Sequence, residues 1–157
     1  MRTGIGYDCH RLAPDRKLVL GGVHVPFDKG LIGWSDADTL THSVIDSLLG
    51  AAAMGDIGMH FPPGDPAYKN ISSLKLLEEV VGKIKTKGFR VNNIDCTIVA
   101  EQPRLREYID QMRSNLASVL GIDAERVSVK ASTANLLGFV GREEGMAAWA
   151  ISTLSEE

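Results

Sequence analysis

A short hairpin near the start of the chain restricts the folds that this sequence can adopt. Strand-like apolar segments at residues 18–21 and 23–27 are joined closely around Gly21-Gly22, and an earlier strand is predicted at residues 4–10. Strands joined by so short a turn run antiparallel, which argues against a doubly wound parallel sheet. The chain therefore begins as part of an antiparallel or mixed sheet.

Three helices and three further strands are predicted after the hairpin. Apolar residues recur at helical spacing in residues 39–54, from Ser72 or Ser73 to Gly88, and in residues 105–120. The further strands are predicted at residues 91–100, 127–132 and 146–154. The order β-β-β-α-α-β-α-β-β predicts an α+β fold with a mixed β-sheet and helices packed on one face. Residues 28–37 and 55–66 are predicted to be loops, and the second is a candidate binding loop.

Composition narrows the class of protein. With 157 residues and 44% apolar content, residues 1–157 are predicted to form a single domain. A net charge of −3 with scattered basic residues argues against nucleic acid as a partner. Cys9 and Cys96 lie in strand-like patterns, so we expect reduced core thiols. No apolar leader or membrane-length segment is visible, so we expect a cytoplasmic protein with no membrane partner.

The last predicted strand suggests a second subunit. Residues 146–151 are nearly all apolar, which is typical of a strand covered on both faces. Helices on one face of the sheet leave the other face uncovered. We therefore expect that the other face lies at a subunit interface.

Three potential metal ligands stand near the start of the chain. In a strand, Asp8 and His10 project to the same face, while His42 lies in the first predicted helix. Two imidazoles and one carboxylate leave a tetrahedral ion one open position, which is the catalytic pattern for zinc. A solvated Asp-x-His pair and a lone helical histidine are the alternative interpretation. Asp46, one turn after His42, could orient its imidazole or point toward a ligand hydroxyl.

Other polar residues cluster where strands end. Lys130, Ser132 and Thr133 lie at the end of one predicted strand, and residues 102–104 follow another. The Gly-rich loop at residues 136–145 carries Arg142. Asp56 could accept hydrogen bonds from a sugar diol, or the Gly-Asp pair that ends the first helix could form only a turn. Together with the metal ligands, these residues predict a phosphate-and-diol site.

Several motifs resemble those of the 2-C-methyl-D-erythritol 2,4-cyclodiphosphate synthase family. The resemblance runs from residue 1 to about residue 154 with almost no change of spacing. The motifs are Asp8-x-His10, Ser35-Asp36-x-Asp38, Asp46-x-Leu48-Leu49-Gly50-Ala51-Ala52, Gly55-Asp56-Ile57-Gly58, Phe61-Pro62, Lys130-Ala131 and Leu137-Gly138-Phe139-x-Gly141-Arg142-x-Glu144-Gly145.

The resemblance implies a cyclising reaction of non-mevalonate isoprenoid biosynthesis. In that family the 2-phosphate of 4-diphosphocytidyl-2-C-methyl-D-erythritol 2-phosphate attacks the β-phosphate, which closes a cyclic diphosphate and expels CMP. The resemblance also implies a homotrimer with active sites between adjacent subunits. It further implies one Zn²⁺ per subunit, held by Asp8, His10 and His42, with Mg²⁺ or Mn²⁺ as a second and weaker ion.

By matching position, the resemblance also assigns residues to the cytidine diphosphate substrate. Trp34 and Thr133 occupy catalytic positions, and Phe139, Arg142 and Glu144 would face the trimer axis, where family members can hold an isoprenoid diphosphate. The positions expected to contact substrate are Asp8, His10, Trp34, Ser35, Asp46, Asp56, Ile57, Gly58, Phe61, Asp65, Ala100, Pro103, Arg104, Leu105, Arg106, Ala131, Ser132, Thr133, Asn135, Phe139 and Arg142.

The chain departs from the family pattern at positions that bear on catalysis. Trp34 stands where the family usually has a histidine, and an indole N–H donates a hydrogen bond but carries no charge. Asn135 replaces a glutamate that binds the second ion, and a neutral amide oxygen is a weaker ligand for a hard cation. Pro63 and Gly64 replace the usual Asp-Thr. We expect slower turnover with zinc retained, and a faster reaction in Trp34→His.

Two other functions remain open from the sequence. A metal-dependent nucleotide diphosphate hydrolase would share the metal and phosphate sites but needs a positioned general base. A CDP- or isoprenoid-diphosphate-binding trimer with little turnover would fit the changes at Trp34 and Asn135. The products formed from the cytidylyl substrate separate the three.

Overall fold

The computed structural model describes residues 1–156; Glu157, the last residue of the predicted domain, lies outside the described residues. The strands are β1 (Arg2–Pro14), β2 (Leu18–Leu20), β3 (Val23–Val25), β4 (Lys29–Leu31), β5 (Phe89–Val99), β6 (Val127–Ser132) and β7 (Gly145–Glu156). The α-helices are α1 (Thr39–Ala51), α2 (Ile57–His60), α3 (Ser73–Thr86), α4 (Ile109–Leu120) and α5 (Gly138–Gly141).

Five strands form one mixed sheet in the order β4-β1-β7-β5-β6. The pair β5–β6 is parallel, and the other neighbours are antiparallel. Strands β2 and β3 form a separate antiparallel hairpin, with Leu18 opposite Val25. The predicted α+β class, the mixed sheet and the hairpin are therefore confirmed.

Helix α1 lies directly against the inner face of β1 and β7. Gly4 and Gly6 make this close approach possible, because a Cβ at either position would collide with the backbone carbonyl oxygens of Ser47 and Ser43. Side chains of α1, α3 and α4 fill a shared core with the inward residues of the sheet; fully buried examples are Leu40, Ile45, Leu48, Leu77, Ile84, Ile94, Ile98 and Met112. The helices thus pack on one face, as predicted.

The opposite face of the sheet presents large apolar side chains to the surface of this single chain. Ile5 is 67% exposed, and Tyr7, Trp149 and Ile151 are between 43% and 47% exposed. Tyr7 lies opposite Trp149, and Ile5 lies opposite Ile151, so the four form one continuous patch. The last strand is therefore covered on one face only within the chain. That a second subunit covers the other face stays a prediction.

Several local predictions from the sequence are wrong. The loops predicted at residues 28–37 and 55–66 contain strand β4 and the short helix α2. Helix α4 begins at Ile109 rather than at residue 105, after a 3₁₀ turn. The Gly-rich loop predicted at residues 136–145 contains the short helix α5.

The two cysteines lie in different environments. Cys96 is buried, as predicted, but Cys9 is exposed, so the expectation of a core residue there is wrong. Asp8 and His10 face inward, and the alternation of side chains along a strand then turns Cys9 to the outer face. Among residues 1–156, none of the helices has the length and apolar character needed to cross a membrane.

Candidate metal centre and substrate cavities

The sheet and the first helix bring the three predicted metal ligands together. Asp8 and His10 project from the inner face of β1, and His42 lies in the first turn of α1. Asp8 Oδ2 is 2.7 Å from His10 Nδ1 and 3.4 Å from His42 Nδ1. One donor atom from each of the three residues lies within 4.8 Å of the others. The grouping predicted from spacing alone is therefore present.

The electrostatics of this cluster favour a charged carboxylate beside imidazoles. Burial tends to raise the pKa of Asp8, but hydrogen bonds and charge interactions with His10 and His42 outweigh it and hold that pKa well below its usual range. Burial tends to lower the pKa of His42, and the contact with Asp8 outweighs it, so that the pKa is raised. Thr39 donates a hydrogen bond to Asp8 Oδ2 at 2.6 Å. The carboxylate of Asp8 and the imidazoles of His10 and His42 thus interact directly, and all three offer donor atoms to one point.

The donor atoms suit a zinc ion. Ligands about 2.05 Å from a tetrahedral ion lie roughly 3.3 Å apart. The 3.4 Å between Asp8 Oδ2 and His42 Nδ1 matches this spacing, whereas His10 Nδ1, 2.7 Å from Asp8 Oδ2, is at hydrogen-bond distance from the carboxylate. Two imidazole nitrogens and a carboxylate oxygen are also the donor types that catalytic zinc uses. The chain's own ligands therefore fit a metal that keeps one position for another molecule.

The second nitrogen of His42 faces two buried hydroxyl groups. His42 Nε2 lies 2.8 Å from Ser73 Oγ and 3.1 Å from Ser35 Oγ. Asp46, considered in the sequence as a partner of this imidazole, instead accepts a hydrogen bond from the backbone N–H of Ile57 at 2.7 Å. Burial raises the pKa of Asp46. Asp46 therefore links α1 to α2, and the serines contact the histidine.

A cavity of about 160 Å³ opens beside the metal ligands. Its lining contains the predicted substrate residues Trp34, Ser35, Ile57, Gly58 and Phe61, together with His10, His42, Pro63, Tyr68 and Leu76. The indole N–H of Trp34 donates a hydrogen bond to the backbone carbonyl of Asp65 at 2.8 Å. The indole therefore joins the segment before α1 to the segment after α2 and forms part of the cavity wall.

A second cavity of about 330 Å³ lies at the ends of β5 and β6. Its lining contains the predicted residues Ala100, Pro103, Arg104, Leu105, Arg106, Ala131, Ser132 and Thr133. Glu101 accepts hydrogen bonds from the backbone N–H groups of Ala134 and Leu136, at 3.2 and 2.9 Å. This carboxylate fixes the loop that follows β6 against the end of β5.

The remaining predicted residues occupy other places. Phe139 lines a third cavity of about 210 Å³ with Cys9, His10, Arg11, Glu144 and Gly145. Arg142 is exposed and pairs with Glu144, with Nε 3.1 Å from Oε1. The side chain of Asp56 caps α2 by accepting from Met59 N, and the side chain of Asp65 accepts from Ala67 N. Asn135 is exposed, and its backbone N–H donates to Thr133 Oγ1 at 3.3 Å.

Within one chain the predicted phosphate-and-diol site is thus divided. The residues around the metal ligands and those at the ends of β5 and β6 line separate cavities. In the sheet, β7 lies between β1, which carries Asp8 and His10, and β5. Many of the predicted residues line one of these two cavities, and that they contact substrate stays a prediction.

Some residues that shape the site were missed in the sequence. Gly4 and Gly6 lie two residues apart on one face of a strand, a pattern that indicates a close approach of another backbone to that face. Ser73 and Thr39 stood at predicted helix starts, where a cap is the ordinary interpretation. Glu101 gave no local signal, because its partners follow 33 and 35 residues later.

These features define an α+β protein with a possible metal-binding triad, a cavity beside that triad and a second cavity at the ends of two strands. The model of the YgbB family matches residues 1–155. The chain belongs to the YgbB family, which agrees with the resemblance found in its motifs.

Relatives and solved structures agree with this membership. A protein from Dehalococcoides mccartyi named 2-C-methyl-D-erythritol 2,4-cyclodiphosphate synthase is 64% identical over 157 residues, which is 100% of both chains. The bifunctional IspDF from Campylobacter jejuni has a TM-score of 0.96 and 41% identity, and the match covers 99% of this chain and 42% of that chain. The CDP complex of IspF from Plasmodium falciparum has a TM-score of 0.87 and 30% identity, covering 99% and 96%.

Proposed function

We propose that this protein is a phosphorus–oxygen lyase of non-mevalonate isoprenoid biosynthesis. It converts 4-diphosphocytidyl-2-C-methyl-D-erythritol 2-phosphate to 2-C-methyl-D-erythritol 2,4-cyclodiphosphate and CMP. The observation that carries this proposal is the joint presence of family membership over residues 1–155 and the grouped donors Asp8, His10 and His42. A relative that matches over the whole chain bears the name of this synthase.

The reaction needs alignment and charge neutralisation more than covalent help. An oxygen of the 2-phosphate bonds to the β-phosphorus, the bond from that phosphorus to the bridging oxygen breaks, and CMP leaves with the bridging oxygen. Zinc bound by Asp8, His10 and His42 would draw charge from a β-phosphate oxygen as a Lewis acid. Phe61 and Trp34 line the adjacent cavity and would help to exclude water, which competes with the 2-phosphate as the nucleophile.

The cavity at the ends of β5 and β6 suits the cytidine diphosphate half of the substrate. Its volume is about 330 Å³, and its lining combines apolar side chains with Arg104, Arg106, Lys130 and Thr133. The guanidinium groups are the preferred partners of phosphate oxygens, and Thr133 offers a hydroxyl to the transferring group. A solved relative in complex with CDP supports a cytidine nucleotide as ligand.

We infer that adjacent subunits of a homotrimer complete each active site. The cavity beside the metal ligands (the metal cavity) and the cavity at the ends of β5 and β6 (the nucleotide cavity) are separate within one chain. A substrate that occupies both would therefore bind where the metal cavity of one subunit meets the nucleotide cavity of the next. The apolar patch of Ile5, Tyr7, Trp149 and Ile151 offers a surface for association on the outer face of the sheet. Cyclic symmetry would then build identical sites at each interface.

The second ion and the cellular location stay predictions. Mg²⁺ or Mn²⁺ would depend mainly on the α- and β-phosphates and on water, because Asn135 offers only a neutral amide oxygen. The expected cytoplasmic location follows from the sequence interpretation, as does the expected slower turnover with Trp34.

Product analysis tests this proposal. The purified protein is incubated with the cytidylyl substrate and zinc, with and without magnesium, and the products are followed by phosphorus NMR. We expect the cyclic diphosphate and CMP in equal amounts. Linear hydrolysis products would instead support a nucleotide diphosphate hydrolase, and binding without products would support a non-catalytic binding protein; either result overturns the lyase proposal.

A further inference from the structure

We propose that Asp36 and Ser73 form a hydrogen-bond relay that fixes the imidazole of His42 with its Nδ1 lone pair directed at the metal position. Both are positioning residues, since they act through His42. The inference rests on the proposed metal-dependent function.

The relay is a chain of three side chains. His42 Nε2 lies 2.8 Å from Ser73 Oγ, and Ser73 Oγ in turn donates a hydrogen bond to Asp36 Oδ1. Backbone N–H groups hold the carboxylate: Ser73 N donates to Oδ2 at 2.9 Å, and Asp38 N donates to Oδ1 at 3.0 Å. Asp36 therefore cannot turn away from Ser73 without losing two backbone contacts.

The chemistry of the groups sets the direction of each bond. The single proton of the Ser73 hydroxyl is donated to Asp36 Oδ1. The Ser73 oxygen then accepts from His42 Nε2–H. With its proton on Nε2, a neutral imidazole keeps an unprotonated Nδ1, and this is the nitrogen that faces Asp8 at 3.4 Å.

Burial distinguishes this arrangement from an incidental surface contact. Ser73 is 0% exposed and His42 is 8% exposed, so water does not readily replace either partner. Ser35 Oγ also lies 3.1 Å from His42 Nε2, but its other contact is the backbone N–H of Ala37, and among residues 1–156 no carboxylate accepts its proton. Ser73 is therefore the hydroxyl whose direction is fixed.

Zinc affinity of the metal-free protein tests the relay. Affinities are measured by chelator competition for the wild type, Ser73→Ala and Asp36→Asn. We expect each variant to bind zinc about 10–100-fold more weakly, the usual effect of removing a partner that orients a metal ligand. Ser47→Ala is the matched control: Ser47 is also buried, but its hydroxyl donates to the Val44 carbonyl, away from His42. Its zinc affinity should equal that of the wild type.

Two further readouts separate a relay from a general loss of structure. In histidine-labelled, zinc-loaded protein, the Nε2–H proton of His42 should give a slowly exchanging NMR signal that Ser73→Ala shifts or removes and Ser47→Ala leaves in place. In a double-mutant cycle, the effect of Asp36→Asn on zinc affinity should shrink in the Ser73→Ala background, because both residues act through one chain.

The outcomes distinguish failure of the relay from failure of the proposed function. If the wild type binds zinc tightly and both variants match it, or if their effects on affinity simply multiply and the Nε2–H signal is unchanged, the relay is wrong while the metal site stands. If the wild type itself binds no zinc, the proposed function fails first, and the relay fails with it.

Discussion

Among single residues, two glycines matter to the candidate metal centre as much as its three donor side chains do. Asp8 and His10 are two residues apart on a strand, so their side chains project from one face, and the sequence predicts this correctly. His42 reaches them only because Gly4 and Gly6 let the backbone of α1 touch β1. A helix held farther away would carry its histidine away from the carboxylate.

Gly6→Ala should therefore damage both stability and zinc binding. The added methyl group collides with the carbonyl of Ser43, so we expect a loss of about 1–3 kcal/mol in the free energy of unfolding, as for other overpacked sites. Gly82→Ala is the matched control: Gly82 lies within α3, nothing is within 4 Å of the added Cβ, and a gain of about 0.5–1 kcal/mol is expected. Urea unfolding and zinc titration measure both. Equal behaviour of the two variants would refute the close-contact argument.

Cys96 should make stability depend on alkaline pH. Burial raises the pKa of its thiol from 9.0 to about 12. The folded state thus holds the proton more tightly, so the stabilisation is fully present below pH 9 and is lost as the pH rises toward 12. At pH 10, one unit above the unfolded value, the loss is on the order of 1 kcal/mol. Urea unfolding at pH 8 and pH 10 should show a smaller drop for Cys96→Val than for the wild type. Identical drops would show that the thiol does not titrate as described.

At the level of elements, hydrogen bonds fix the segment between α1 and α3 at several points, in a region whose Gly- and Pro-rich composition predicted an ordered or mobile loop. Asp46 and Asp56 accept hydrogen bonds from N-terminal amides of α2. Trp34 holds the carbonyl of Asp65, and His60 Nε2 lies 2.9 Å from the Met54 carbonyl. The segment is therefore an ordered wall of the metal cavity.

Trp34→Phe tests the role of the indole N–H in this wall. Phenylalanine keeps an aromatic ring but cannot donate to the Asp65 carbonyl, and losing one such bond costs about 0.5–1.5 kcal/mol. Backbone amide exchange in residues 62–68 should become several-fold faster, while exchange in α4 of the same sample stays constant. If exchange in residues 62–68 does not change, the indole does not hold this segment.

The elements also show which parts of the fold local sequence patterns predict and which they do not. Long periodic segments gave α1, α3, β5, β6 and β7 in the right order because their burial pattern is local. The short elements β4, α2 and α5 were missed. Helix α2 begins with two carboxylates that accept from its backbone N–H groups, and one of these, Asp46, lies 11 residues before Ile57. The candidate site was predicted as a set of residues, but its division into two cavities follows from strand order, which local patterns do not encode.

At the scale of the whole molecule, the proposed reaction needs two cavities that one chain keeps apart. Of the three candidate metal ligands, Asp8 and His10 lie on β1 and His42 lies on α1. Thr133 follows β6, which is separated from β1 in the sheet by β7 and β5. The exposed apolar patch on the outer face gives the chain a surface through which a neighbour could supply the missing half. Only the assembled protein would then be catalytically active.

Mixing two inactive variants tests shared sites. Asp8→Ala removes the metal carboxylate, and Thr133→Val removes the hydroxyl at the nucleotide cavity, so each alone should lose most of its activity. Co-expressed in equal amounts, random trimers would contain native sites in about one quarter of positions if each site uses two subunits. The cyclisation rate of the purified mixture measures this recovery. Sites formed within one chain would give no recovery, since neither chain carries both native halves.

The most direct test of the whole account is an anomalous-scattering crystal structure of the protein with zinc and CDP. The account predicts one zinc peak per chain between Asp8, His10 and His42, with a β-phosphate oxygen of CDP at its remaining position and the cytidine in the cavity lined by Ala100, Arg104 and Ala131. A zinc peak elsewhere, or a diphosphate bound away from these three ligands, would contradict it.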